Sequence, residues 1–401
     1  LRRARAVADA YDFWAERLPS AERAAVHAFW EGFARHAAFI DAIFTGEDRS
    51  GTADDVADCM ADALGPLSDG IYWEFGPLDE TGKRGHFLAL TPELYHSKRP
   101  LARALVAAAP DLPGWGFGDA RRPMAADASI LANVASRAFR DVTLLGAEVQ
   151  AGAHRMVDVT GLGPDEHAGG QAGLLFSLVM GEAVERDWLG EVSSTPAKAP
   201  RAAGLAGMIG RRAAPEESWV SHFAEEARGL VDAMRAGTQT APFAPVRGSV
   251  PETLFRLTPG DGTWPRADLV TYLTTRPDFA QARFDDAPIA AERFSTRGES
   301  FIALRLARTP AAPLDDVSDR AEIADAIDAD LRAGGLGGVF GEGHGRAHIY
   351  VDAAVTEIPS AIGVIERVLG RLGHSAPAHI LFDEAGLTDL ALPLASHQAL
   401  H

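Results

Sequence analysis

At 401 residues the chain is too long for one ordinary hydrophobic core and argues for two domains, with room for a third; 47% apolar and 23% charged residues describe a folded protein. The 38 basic against 56 acidic residues leave a net charge of −18, which disfavours sequence-independent binding to nucleic acid or to anionic membrane. A single cysteine, Cys59, excludes an intrachain disulfide and a Cys-ligated zinc site.

The amino terminus, LRRARAVADAYDFW, lacks the continuous apolar centre of a signal peptide, and no run approaches membrane-spanning length. A cytoplasmic protein is the expectation, and the abundance of Arg and Ala suggests a GC-rich bacterial genome. Residues 21–44 place Val26, Phe29, Trp30, Phe33, Ala37, Ile40 and Phe44 on one helical stripe, with Ser20 as cap and Gly46 as stop. A shorter helix follows through Val56, Met60 and Leu64. The stretch from Gly70 to Pro123 carries the densest local signals: Ile71, Trp73 and Phe75 alternate in one strand, and His86, Leu88 and Leu90 in another. A helix through Leu101, Ala104 and Leu105 comes next, then a short strand at 114–117. Further on the pattern predicts a helix over 130–140, a strand over 154–160, a buried helix through Ala172, Leu175, Phe176 and Val179, and a strand at 188–192.

Ser193 to Pro215 is rich in proline, glycine and small residues, a linker composition. The expected division is an amino-terminal domain over 1–193, a linker over 194–215 and a carboxy-terminal domain over 216–401. In the last part, strands at 269–275, 301–306 and 378–382 alternate with helices striped by Ile323, Ile327 and Leu331 and by Ile362, Ile365 and Leu369; two strands joined by a glycine-rich turn occupy 337–355. Such alternation predicts an α+β protein with mixed or antiparallel sheets, helices packed mainly on one face, and a ferredoxin-like carboxy-terminal domain.

The runs YLTTRPDF, ESFIALRLA and GGVFGEGHGRAHIYVDAAV, together with FWEGFARHAAFIDAIF and APDLPGW nearer the start, resemble bacterial domains of unknown function related to the regulator-of-ribonuclease-E-activity-B-like α+β proteins. The resemblance implies a fold and carries over no catalytic residue.

Candidate sites are few. DDxxD occurs at Asp54–Asp58 and Asp315–Asp319, where helix capping explains it better than Mg²⁺ binding. Gly341-Glu342-Gly343-His344-Gly345 reads as a hairpin turn requiring positive φ, because no lysine or helix follows it as in a phosphate loop. His348, Tyr350 and Asp352 fall on one face of the next strand and would line an open sheet face; with His344 they form the candidate ligand-binding set. Tyr72 and Glu74, with His86 across the hairpin, form a second polar group on a half-exposed strand face. No GxSxG elbow surrounds a serine, and no catalytic residue, metal or cofactor is assigned. The functional expectation is a non-catalytic protein-binding or regulatory module with a protein partner. The alternative is a small-molecule binder or enzyme that uses the open face around His348, Tyr350 and Asp352.

Overall fold

The computed structural model describes residues 12–78, 85–93, 95–124, 144–164, 166–197, 216–260, 266–308, 318–374, 376–388 and 390–394. Apolar residues three and four apart shape its first helices. α1 (Ser20–Thr45) buries Val26, Phe29, Trp30, Phe33, Ala37 and Ile40, and Gly46 ends it in the left-handed region. α2 (Ala53–Leu64) opens on a capping box: Asp55 N donates to the Thr52 hydroxyl, and Thr52 N donates to the Asp55 carboxylate at 2.7 Å. Both helices share a core with a sheet of β1 (Tyr72–Pro77), β2 (His86–Thr91) and β3 (Trp115–Gly118). β1 and β2 are antiparallel, and β3 joins β2 in parallel after α3 (Arg99–Ala107). β2 is buried on both faces from Phe87 to Leu90, and on the outer one Arg122 lies over Phe87, its guanidinium 3.7 Å from the ring centre.

A second unit repeats this order. β4 (Gly146–Ala151) and β5 (Val157–Gly163) are antiparallel, α4 (Ala168–Met180) and α5 (Glu182–Trp188) cross over, and β6 (Leu189–Pro196) pairs with β5 in parallel. Its core is completed by α6 (Glu216–Ala236), whose Val220, Phe223, Ala227 and Val231 pack with Val157, Val159, Phe176 and Trp188. The expected linker over 194–215 therefore begins inside β6, where Ser194, Thr195 and Pro196 pair with Gly161, Leu162 and Gly163, and its remainder leads to a helix of the same core, because an apolar helical stripe fits whichever sheet lies beside it. Most of that stretch, and the helix expected over 130–140, lie outside the described residues.

The carboxy-terminal unit is an antiparallel sheet ordered β13-β12-β9-β11-β10-β8-β7. Its strands are β7 (Thr253–Arg256), β8 (Leu269–Thr274), β9 (Ser300–Ala307), β10 (Gly337–Gly345), β11 (His348–Val355), β12 (Ala378–Phe382) and β13 (Ala391–Pro393). Between β8 and β9 run α7 (Pro277–Phe284) and α8 (Ala291–Phe294). α9 (Ser318–Ala333) follows β9 and α10 (Ile358–Arg371) follows β11. The inner four strands, ordered β12-β9-β11-β10, and these last two helices form the expected ferredoxin-like βαββαβ unit. On its helical side Ile302, Leu304, Val351, Ala353 and Ile380 meet Ile323, Ile327, Ile365 and Val368. Phe13 joins the same core beside Phe382, so the first described residues pack on the last unit.

The middle and carboxy-terminal units also touch directly. Trp188 Nε1 donates to Glu292 Oε1 at 2.5 Å, and Arg293 donates to the His154 carbonyl at 3.1 Å. Among the described residues no helix is long and apolar enough to cross a membrane. Phe223 is fully enclosed in the middle core, so Phe223→Ala should lower stability by about 3 to 5 kcal/mol. Chemical denaturation checks this, and an unchanged midpoint would show that α6 does not complete that core.

Candidate functional site

Strand periodicity places His348, Tyr350 and Asp352 on one face of β11, opposite Ile349, Val351 and Ala353. The expectation that this face lies open fails. A second layer covers it, in which Phe243, Phe279 of α7 and Phe294 of α8 pack on Phe301 and Phe340 of the sheet. Tyr350 and Asp352 are 0% exposed.

His344 does not belong to the group. Gly341 pairs with Asp352 and Gly343 with Tyr350, so the alternate glycines of β10 share the covered face and His344 turns to the helical side. Its strand neighbour Glu342, two residues back on that side, accepts from Arg320 of α9 at 3.0 Å.

Nor do these glycines form a turn. They lie inside β10 without positive φ, and the hairpin turns at Arg346-Ala347. Space is the reason for them. A Cβ on Gly341 would lie 2.2 Å from Tyr272 Oη, one on Gly343 2.6 Å from Leu269, and one on Gly345 2.4 Å from Asp268. Side chains from β8 and the turn before it thus cross over β10 to reach β11.

What they reach is a closed ring of charges. Arg266, just before β8, donates to Asp352 at 2.7 Å and to Asp383, just after β12, at 2.8 Å. Arg283 of α7 donates to the remaining oxygens of the same two carboxylates, at 2.9 and 3.0 Å. The Tyr272 hydroxyl also donates to Asp352. All five side chains are buried. Burial opposes the charged form of Asp352, but the Arg266 and Arg283 guanidiniums outweigh it and hold its carboxyl below the usual range. Burial, then Asp352, pushes the Tyr272 phenol well above its usual range. Asp383 faces the same two guanidiniums, and two carboxylates balance their two fixed charges.

Asp268 extends this layer outward. It accepts from Ala347 N at 2.8 Å, His348 N at 3.1 Å and the Tyr350 hydroxyl at 2.5 Å. Burial raises its carboxyl less than these donors and His348 lower it, and the pKa lies below the usual range. Glu384 is the opposite case. Its Oε1 accepts from Phe301 N at 3.3 Å, its Oε2 is buried without a hydrogen-bond partner, and burial pushes its pKa up to about 8.

The polar group near the amino terminus is dispersed. Tyr72 and Glu74 pair across the hairpin with Thr91 and Ala89, while His86 sits opposite Pro77 and bonds Asp41 at 2.8 Å. Of the two DDxxD runs, the first supplies the cap of α2, and residues 315–317 of the second lie outside the described residues. Among the described residues no group of three or more His, Cys, Asp or Glu is placed to hold a metal. The sequence reading missed Arg266, Tyr272, Arg283 and Asp383. An arginine between Ala282 and Phe284 in the helix segment FAQARF, and glycines at alternate strand positions, were the available signals.

Comparison with protein-family models, with curated proteins and with solved structures finds no match to the chain.

Asp352→Asn leaves two buried guanidiniums short of a charge, and the expected loss is about 3 to 5 kcal/mol. Urea denaturation reads it, and no change of midpoint would contradict the closed ring. The Glu384 carboxyl is protonated in the folded state up to about pH 8, whereas in the unfolded chain it ionises near its usual 4.5. Its contribution is therefore complete below the lower value and is lost as pH rises through the upper one. Glu384→Gln should flatten this decline and stabilise the protein above pH 8 by up to about 5 kcal/mol. A variant with the wild-type pH slope would refute it.

Proposed function

We propose that this protein is a non-catalytic binding or regulatory module that acts on a protein partner. The reading is carried by the closure of its best-ordered polar constellation. Tyr272, Tyr350 and Asp352, the groups on this face suited to proton transfer, are enclosed and bonded to fixed partners. A general acid or base must come within hydrogen-bond reach of the reacting group, and these would first have to leave the layer that holds them. The charge of −18 favours a protein partner over nucleic acid.

The amino-terminal sheet offers a surface for such a partner. β1 is an edge strand, and on it Tyr72, 42% exposed, stacks at 6.2 Å on Tyr95, 53% exposed. Exposed tyrosines supply large contact area at low entropic cost and are enriched at interfaces. Affinity capture from the native host, followed by titration of the captured protein, tests the reading. The Tyr72→Ser/Tyr95→Ser variant should bind at least about tenfold more weakly, a loss of about 1.4 kcal/mol, with its unfolding midpoint retained. Equal binding by the variant would remove this surface. Turnover of a metabolite that is lost in His348→Ala would overturn the non-catalytic reading.

A further inference from the structure

The charge ring neutralises the centre of the covered face, but at one margin of that face the basic side chains outnumber the carboxylates among the described residues. β9 ends there, and β11 and β12 begin there. Arg305 of β9 stands in register between Tyr350 of β11 and His379 of β12, and His348 lies one step further out on the same face. With neighbouring strands roughly 4.8 Å apart and two residues of rise separating His348 from the Arg305 register, the backbones of the two histidines lie roughly 12 Å apart on either side of the arginine, within reach of one small ligand. Arg305, His348 and His379 are all partly exposed, so the margin is open to a small ligand.

No ion pair of the described residues includes Arg305, and its Nε is buried without a hydrogen-bond partner. The carboxylate that faces this margin is Asp268, whose oxygens already accept from Ala347 N, His348 N and the Tyr350 hydroxyl, with His348 Nδ1 at 3.3 Å. From the other side β13 sets uncharged Pro393 opposite His379. Arg266 approaches the Tyr350 ring from the covered side at 5.9 Å, and Arg308 caps the hairpin by donating to the Arg346 carbonyl at 3.2 Å. In a chain of net charge −18 this is a local excess of positive groups.

We propose that Arg305, His348 and His379 form a binding site for the oxyanion group, phosphate or carboxylate, of a small ligand. The planar guanidinium presents paired donors to two oxygens, and each imidazole adds an N–H from its side. The site is independent of the partner-binding reading. Burial, then Arg305 and His348, lower the pKa of His379. A bound anion offsets the opposition of Arg305 to a charged His379 and raises that pKa, so binding takes up a proton and tightens as pH falls.

Histidine ring resonances of the full chain, titrated with inorganic phosphate and in parallel with succinate, test this against sodium chloride at matched ionic strength. Saturable shifts of His379 and His348, with a rise in the His379 pKa, are expected with at least one of the two anions. Whichever anion saturates first identifies the ligand group. Arg305→Gln should abolish the saturable shift and Arg305→Lys should retain part of it. Shifts equal to those in sodium chloride, shifts unaltered in Arg305→Gln, or no shift with either anion would overturn the site. Should Arg305→Gln fail to fold, the His379 pKa of the wild type with and without anion decides: a rise supports the site and a constant value refutes it.

Discussion

Two guanidiniums and two carboxylates closed on one another inside the carboxy-terminal unit determine how its second layer sits on the sheet. Moving a charge out of water costs several kcal/mol per ion, and a buried set is tolerable only when it is neutral and its hydrogen bonds are made. Arg266, Arg283, Asp352 and Asp383 meet both conditions, since each carboxylate oxygen accepts from a guanidinium. The turn before β8, helix α7, strand β11 and the chain just beyond β12 each supply one member, so none of these elements can shift alone. Apolar residues of similar volume could fill the same space without loss of stability. What the ring adds is the specific placement of α7 and β8.

That placement requires an empty trough. Glycine in a strand interior weakens the strand, because it has no side chain to pack and more backbone freedom to lose. β10 nevertheless carries Gly341, Gly343 and Gly345 on one face, and Tyr272, Leu269 and Asp268 occupy the volume they leave. The cost to one strand is offset by hydrogen bonds that tie β8 and its preceding turn to β11. With its centre closed in this way, the face keeps partly exposed polar groups at its margin.

Much of the fold was legible. The stripe and stop of α1, the capping carboxylate of α2, the first hairpin and the βαββαβ order all follow from local periodicity and turn chemistry, which act over a few residues, whereas Ser20, expected as the cap of α1, is its first helical residue and makes no capping bond. Properties set by distant segments were not legible. The glycines at 341, 343 and 345 suggested a turn because nothing nearby revealed that Tyr272 and Asp268 pass over them. His348, Tyr350 and Asp352 were correctly placed on one face, yet alternation along β11 cannot show that α7 returns to cover it. The same limit applies to α6, whose stripe fits either neighbouring sheet and packs on the middle one. Arg305 and His379 come together only through the strand order β12-β9-β11, which no single segment encodes.

A double-mutant cycle on Arg283 and Asp383 tests the ring most directly, because these two side chains meet only in the folded state, 3.0 Å apart and buried. With Arg283→Met, Asp383→Asn and the double variant followed by urea denaturation, the account predicts a coupling energy of about 1.5 kcal/mol or more, the two losses being far from additive. Additive losses, within about 0.5 kcal/mol, would contradict it.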